Sequence, residues 1–131
     1  MVQRLLPVMR KAEGCTIVYV TPTRALANDL IRRIEQPLDA LGLRAGVRHG
    51  ERNDLDRREK PNVLVTTPES LDVLIGTGNE ALQGVRGIII DEIHLTYNTQ
   101  RGLQLAVLLR RAEEFAGHAI QVAGLSATVA T

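Results

Sequence analysis

The chain has 131 residues, enough for one domain, residues 1–131, that buries a real core. Its net charge of +1 excludes bulk electrostatic attraction to nucleic acid, so any such binding rests on locally placed arginines and backbone N–H groups. Phe115, Tyr19 and Tyr97 are the whole aromatic set, which argues against modules that stack bases on aromatic platforms.

In chain order, residues 3–12 predict a short helix ending near Gly14. Residues 1–7 lack the apolar core of a signal peptide, and no run approaches the roughly 20 residues of a membrane span. The single cysteine, Cys15, has no partner for an internal disulfide, which fits a reducing cytoplasm, and it reads as a small buried residue. No Cys/His cluster has metal-ligand spacing. The β-branched run Thr16-Ile17-Val18-Tyr19-Val20 predicts a strand leading into Thr21-Pro22-Thr23. A helix follows, with Leu26, Leu30 and Ile34 on one face; Pro37 is expected to end or kink it, and Gly42 to close it.

Residues 45–48 predict a short strand, and the mixed-charge residues 51–60 a solvated helix or loop, Arg57 and Arg58 included. Asn62-Val63-Leu64-Val65-Thr66 is the next strand. Pro68 begins a helix with Glu69 in its first turn, and Leu71, Leu74 and Ile75 form its apolar face. Residues 76–79 read as a loop. Gly87-Ile88-Ile89-Ile90-Asp91 reads as a strand buried on both faces. A polar link to Gly102, an apolar helix over 103–115 and a strand over 120–125 complete the pattern. Strands alternating with helices predict an α/β fold with a parallel sheet. His49 and His118 read as surface histidines.

Five segments stand in register with known motifs. Asp91-Glu92-Ile93-His94 resembles motif II (DExH) of superfamily 2 helicases, and Ser126-Ala127-Thr128 resembles motif III. Thr21-Pro22-Thr23-Arg24-Ala25-Leu26-Ala27 resembles motif Ia. Thr66-Thr67-Pro68-Glu69-Ser70-Leu71 resembles the motif between Ib and II, in wording that favours the large helicase-related (Lhr-like) group. Thr99-Gln100-Arg101-Gly102 is similar to the Thr-Lys-Arg-Gly that follows motif II in that group. The resemblance implies the first RecA-like domain of a P-loop NTPase-type helicase, a parallel sheet flanked by helices. The sequence contains no Gly-x-x-x-x-Gly-Lys-Thr phosphate loop. Leu5-Leu6-Pro7-Val8-Met9 resembles the helix that follows that loop, which implies a fold truncated at its N-terminus. Likewise, the family's second RecA-like domain is expected beyond motif III.

The resemblance also implies the chemistry. Asp91 would orient Mg²⁺ through water, since Mg²⁺ keeps several waters and uses few protein carboxylates. Glu92 would position the water that attacks ATP. His94, Ser126 and Thr128 would couple nucleotide state to the other domain. ATP and Mg²⁺ are thus cofactors of the intact protein, and the isolated chain is expected to be inactive.

The residues themselves offer nucleic-acid contacts. Thr21, Pro22, Thr23 and Arg24 stand where a strand meets a helix N-terminus, and Thr67, Pro68, Glu69 and Ser70 repeat that arrangement. Two such sites can follow the backbone of single-stranded DNA (or RNA), with Arg101 as a further contact. The competing reading is ordinary helix capping by Thr and Ser, and a solvated loop arginine. The rival to a motor fragment is a non-catalytic, weakly nucleic-acid-binding remnant or interaction module. Self-association through an exposed sheet edge is expected, because the strand over 120–125 lacks a neighbour.

Overall fold

The computed structural model describes residues 15–50, 52–56, 60–91 and 99–125. The expected N-terminal helix at residues 3–12 lies outside them. In chain order the elements are β1 (Ile17–Val20), α1 (Arg24–Ala40), β2 (Ala45–His49), β3 (Arg52–Asn53), β4 (Val63–Thr66), α2 (Pro68–Gly76), β5 (Gly87–Asp91), α3 (Thr99–Ala116) and β6 (Gln121–Leu125), with 3₁₀ turns at Asp54–Asp56 and Glu80–Leu82.

The strands form one six-stranded sheet in the order β3-β2-β4-β1-β5-β6. All neighbours pair in parallel except β3, which returns antiparallel to β2. β1 is therefore central, with Val20 opposite Thr66 on one side and Ile90 on the other. Continuous apolar runs suit this position because helices cover both faces. Alternate residues divide between two cores. Val18, Val20, Leu64, Ile88 and Ile90 pack with Leu71, Leu74 and Ile75 of α2 and Leu108 and Ala112 of α3. Tyr19, Val47 and Val65 pack with Ala27 and Ile31 of α1 on the opposite face.

Three local expectations are corrected, and a fourth is narrowed. Pro37 does not end α1, which continues to Ala40. Arg33, whose carbonyl loses its usual donor at Pro37, is exposed, so water can take the place of the missing N–H. Closure comes where Gly42 (φ 78°) reverses the chain and Leu43 N–H donates to Leu38 O at 2.9 Å. Residues 51–60 are not uniformly solvated, since Asp54 and Leu55 are buried. The last helix begins at Thr99 rather than after Gly102, so the polar link enters its first turn. His49 is buried, at 2% exposure, with Nε2 3.0 Å from Asn28 Oδ1. His118 is exposed as expected, and its Nε2 lies 2.7 Å from Val85 O.

Candidate nucleic-acid interface

In a parallel sheet, ligands meet the carboxyl ends of the strands. Here β1, β4 and β2 end side by side. At the end of β1, Thr21 N–H donates to Thr66 O at 2.9 Å. Its hydroxyl donates to Thr23 O at 3.2 Å. Thr21 is thus fully buried and fixes the turn from beneath. Pro22 carries the chain outward, and Thr23 caps α1 by accepting from Leu26 N–H at 3.2 Å.

β4 repeats the device. Thr67 caps α2, its hydroxyl accepting from Ser70 N–H at 3.3 Å and donating to Ser70 Oγ at 3.1 Å. Pro68 occupies the first turn, where a missing N–H costs nothing. The buried Thr67 and Ser70 hydroxyls therefore serve each other and the helix end. Thr66 ties this turn to β2, donating to Arg48 O at 2.7 Å.

Between these ends lies a cleft of about 460 Å³, lined by Pro22, Thr23, Arg24, Arg48, Gly50, Thr67, Glu69, Ser70 and Val73. The structure thus brings together the two strand-end clusters read from the sequence, apart from the buried Thr21 and from Pro68, which flanks the cleft without lining it. Among the described residues two guanidiniums and one carboxylate, Glu69, line the cleft, and both helix N-termini add partial positive charge. Such a cleft suits a chain of phosphates better than a base edge.

Sequence reasoning missed Arg48, Gly50 and Val73. Arg48 lies in β2 and Gly50 directly after it, and the adjacency of β2 to β4 is a matter of strand order. Arg48 Nη1 donates to His49 O at 2.7 Å, while its buried Nε has no hydrogen-bond partner among the described residues. An unpaired buried donor costs about 1–3 kcal/mol.

The hydrolytic residues are described only in part. Asp91 closes β5, one strand from β1, in register with Leu125 of β6. Glu92, His94, Ser126 and Thr128 lie outside the described residues, and Arg101 is placed only as part of the first turn of α3. Among the described residues no cluster of three or more His, Cys, Asp or Glu is disposed to hold a metal ion. The sequence contains no glycine-rich phosphate loop of the kind that cradles nucleotide phosphates.

The profile of the DEAD/DEAH box helicases matches residues 1–131. The chain belongs to that family. It is 37% identical over 140 residues to the Lhr helicase/probable uracil glycosylase of Mycolicibacterium smegmatis, covering 94% of this chain and 9% of the relative. It is 36% identical over 129 residues to the ATP-dependent helicase Lhr-Core of Methanothermobacter thermautotrophicus, covering 86% of this chain and 15% of the relative. The structure of Mycobacterium smegmatis helicase Lhr bound to ssDNA and AMP-PNP superposes with a TM-score of 0.80 at 33% identity, covering 97% of this chain and 19% of that one. The fold of this DEAD/DEAH box chain is therefore RecA-like, and its relatives include the Lhr helicases that the Thr66–Leu71 segment suggested. The chain spans less than a fifth of the length of each of these proteins. No helix of the described residues is long and apolar enough to cross a membrane.

Proposed function

We propose that this chain is part of the motor core of an ATP-dependent, Lhr-like helicase acting in the cytoplasm on single-stranded DNA. Its share of the work is to hold one strand by its phosphates in the cleft between β1, β2 and β4. The observation that carries this reading is the convergence of two capped helix N-termini, at Thr23 and Thr67, with Arg24 on one concave surface. Contacts of this kind position a backbone and carry little sequence information.

In the intact protein, Asp91 would hold Mg²⁺ and Glu92 would position the attacking water. His94, Ser126 and Thr128 would pass nucleotide state to a second RecA-like domain. Arg101, at the start of α3, would add a backbone contact.

Fluorescence anisotropy on several unrelated oligonucleotides tests the strand-binding part. Binding is expected to be weak and indifferent to sequence. Each neutralised phosphate adds about −0.7 to the log–log salt slope for single strands, so a few contacts give a slope of about −1 to −3. Arg24→Ala should weaken binding equally on all oligonucleotides and flatten the slope. Tight binding to one sequence, unaffected by Arg24→Ala, would show that the strand lies elsewhere.

A further inference from the structure

The two outer edges of the sheet are finished differently. β6 pairs with β5 alone among the described residues. β2 carries on its outer side the two-residue β3, the 3₁₀ turn that follows it and the Pro61 ring. We propose that these groups form a clasp that closes the β2 edge to strand addition, so that this chain pairs with a second copy only through β6 and stops at a dimer. This holds whether or not a nucleic-acid strand enters the cleft.

The clasp meets β2 at successive points along its length. At the carboxyl end, Arg48 and His49 stand in register with Asn53 and Arg52 of β3. One step back, Val47 N–H donates to the Asp54 carboxylate at 2.8 Å. Gly46 follows, and a Cβ built there would lie 2.8 Å from Pro61 Cγ, 2.9 Å from Pro61 Cβ and 3.0 Å from Asp54 Cβ. A glycine inside a strand marks such a close approach. Just before the strand, Arg44 Nε donates to Lys60 O at 2.9 Å. The clasp is also tied to itself. Lys60 Nζ donates to Leu55 O, and Leu55 N–H donates to Asn53 Oδ1 at 3.1 Å. Leu55 is buried in the same core as Leu64 and Leu71. An incoming strand would have to displace Asp54 from Val47 N–H and lift the Pro61 ring off Gly46.

Which edges are open decides what assembly can form. Pairing β6 with β6 uses one patch on both copies, has two-fold symmetry and consumes both open edges at once. Pairing β6 of one copy with β2 of the next joins two different patches, and every addition leaves a fresh edge for another, as in a filament. Covering an edge strand is a way that sheets prevent this second mode. With the clasp in place only the first mode is left to this chain.

The test is sedimentation velocity of the full chain over a range of concentrations, with circular dichroism as the control for folding. The wild type should pass from monomer to dimer and no further. Gly46 is not in the left-handed region, so its backbone accepts alanine. The added methyl group meets a proline ring rather than a flexible tip, so the clasp must shift. Gly46→Ala should therefore keep its sheet and grow beyond the dimer as concentration rises. Val122→Lys added to it should reduce that growth, since each step of a head-to-tail filament consumes one β6 edge. Where Gly46→Ala unfolds the chain, Asp54→Ala carries the test, because it frees Val47 N–H without adding an atom. A wild type that stays monomeric or assembles past a dimer overturns the proposal. So does a folded clasp variant that stops at a dimer, or one whose growth Val122→Lys leaves untouched.

Discussion

Asp54 Oδ2 accepts from Val47 N–H at 2.8 Å, so a side chain completes the outer edge of β2. β3 is only two residues long and pairs with Arg48 and His49. Val47 lies just past its reach, and the buried Asp54 carboxylate takes over where the ladder stops. Leaving a buried backbone N–H unpaired costs about 1–3 kcal/mol. Asp54→Ala should lower the unfolding free energy by that much, seen as a lower urea midpoint at an unchanged m-value, and Asp54→Asn by less, since its amide oxygen still accepts. A midpoint unmoved by Asp54→Ala would mean that water replaces the carboxylate.

Cys15 gives the chain an alkaline liability. Burial pushes its thiol up to about 12, against a lesser downward pull from Lys60. The folded value lies above the ordinary value of 9.0, so the unfolded chain ionises first as pH rises. This contribution is whole below about pH 9 and is lost between about 9 and 12. Urea midpoints followed over this window should fall more steeply in wild type than in Cys15→Ala. Parallel curves would show that the thiolate is accommodated in the fold.

β6 pairs with β5 alone among the described residues, and Val122 on it is 45% exposed. An open strand edge invites a second chain. Sedimentation of the 131-residue protein should show concentration-dependent association. Val122→Lys should reduce it, because edge lysines oppose strand addition. A monomer at all concentrations would mean that this edge is protected.

These 131 residues should release no phosphate from ATP above background, with or without single-stranded DNA. The motivation is the absence of a glycine-rich loop and its lysine, the groups that hold a triphosphate. Turnover that vanishes in Glu92→Gln would refute this.

The central strands were legible because burial on both faces imposes unbroken apolar runs, as at Ile88-Ile89-Ile90. The helix starts at Thr23 and Thr67 were legible for a different reason: each cap is a local interaction between a hydroxyl and an N–H three residues on. Non-local geometry was not. Asp54 looks like one more surface charge until β3 proves too short to reach Val47. His49 looks exposed until Asn28 of α1 is laid over β2. Arg48 and Gly50 enter the cleft only because β4 inserts between β2 and β1, an order that no short segment encodes. At Pro37 the helix does not stop, because the lost hydrogen bond falls on a wet face.

The position of Thr21 bears on how the two halves of this surface communicate. Its strand has the cleft-forming β4 on one side and β5, with Asp91, on the other. Strand spacing in a sheet is about 4.8 Å, so β4 and β5 are separated by only about 10 Å. The path between them crosses hydrogen-bonded backbone and the Thr21-to-Thr66 link. Were a single strand held between α1 and α2, a pull on it would load the end of β5 through these paired strands, and a shift at Asp91 would load the cleft by the same route.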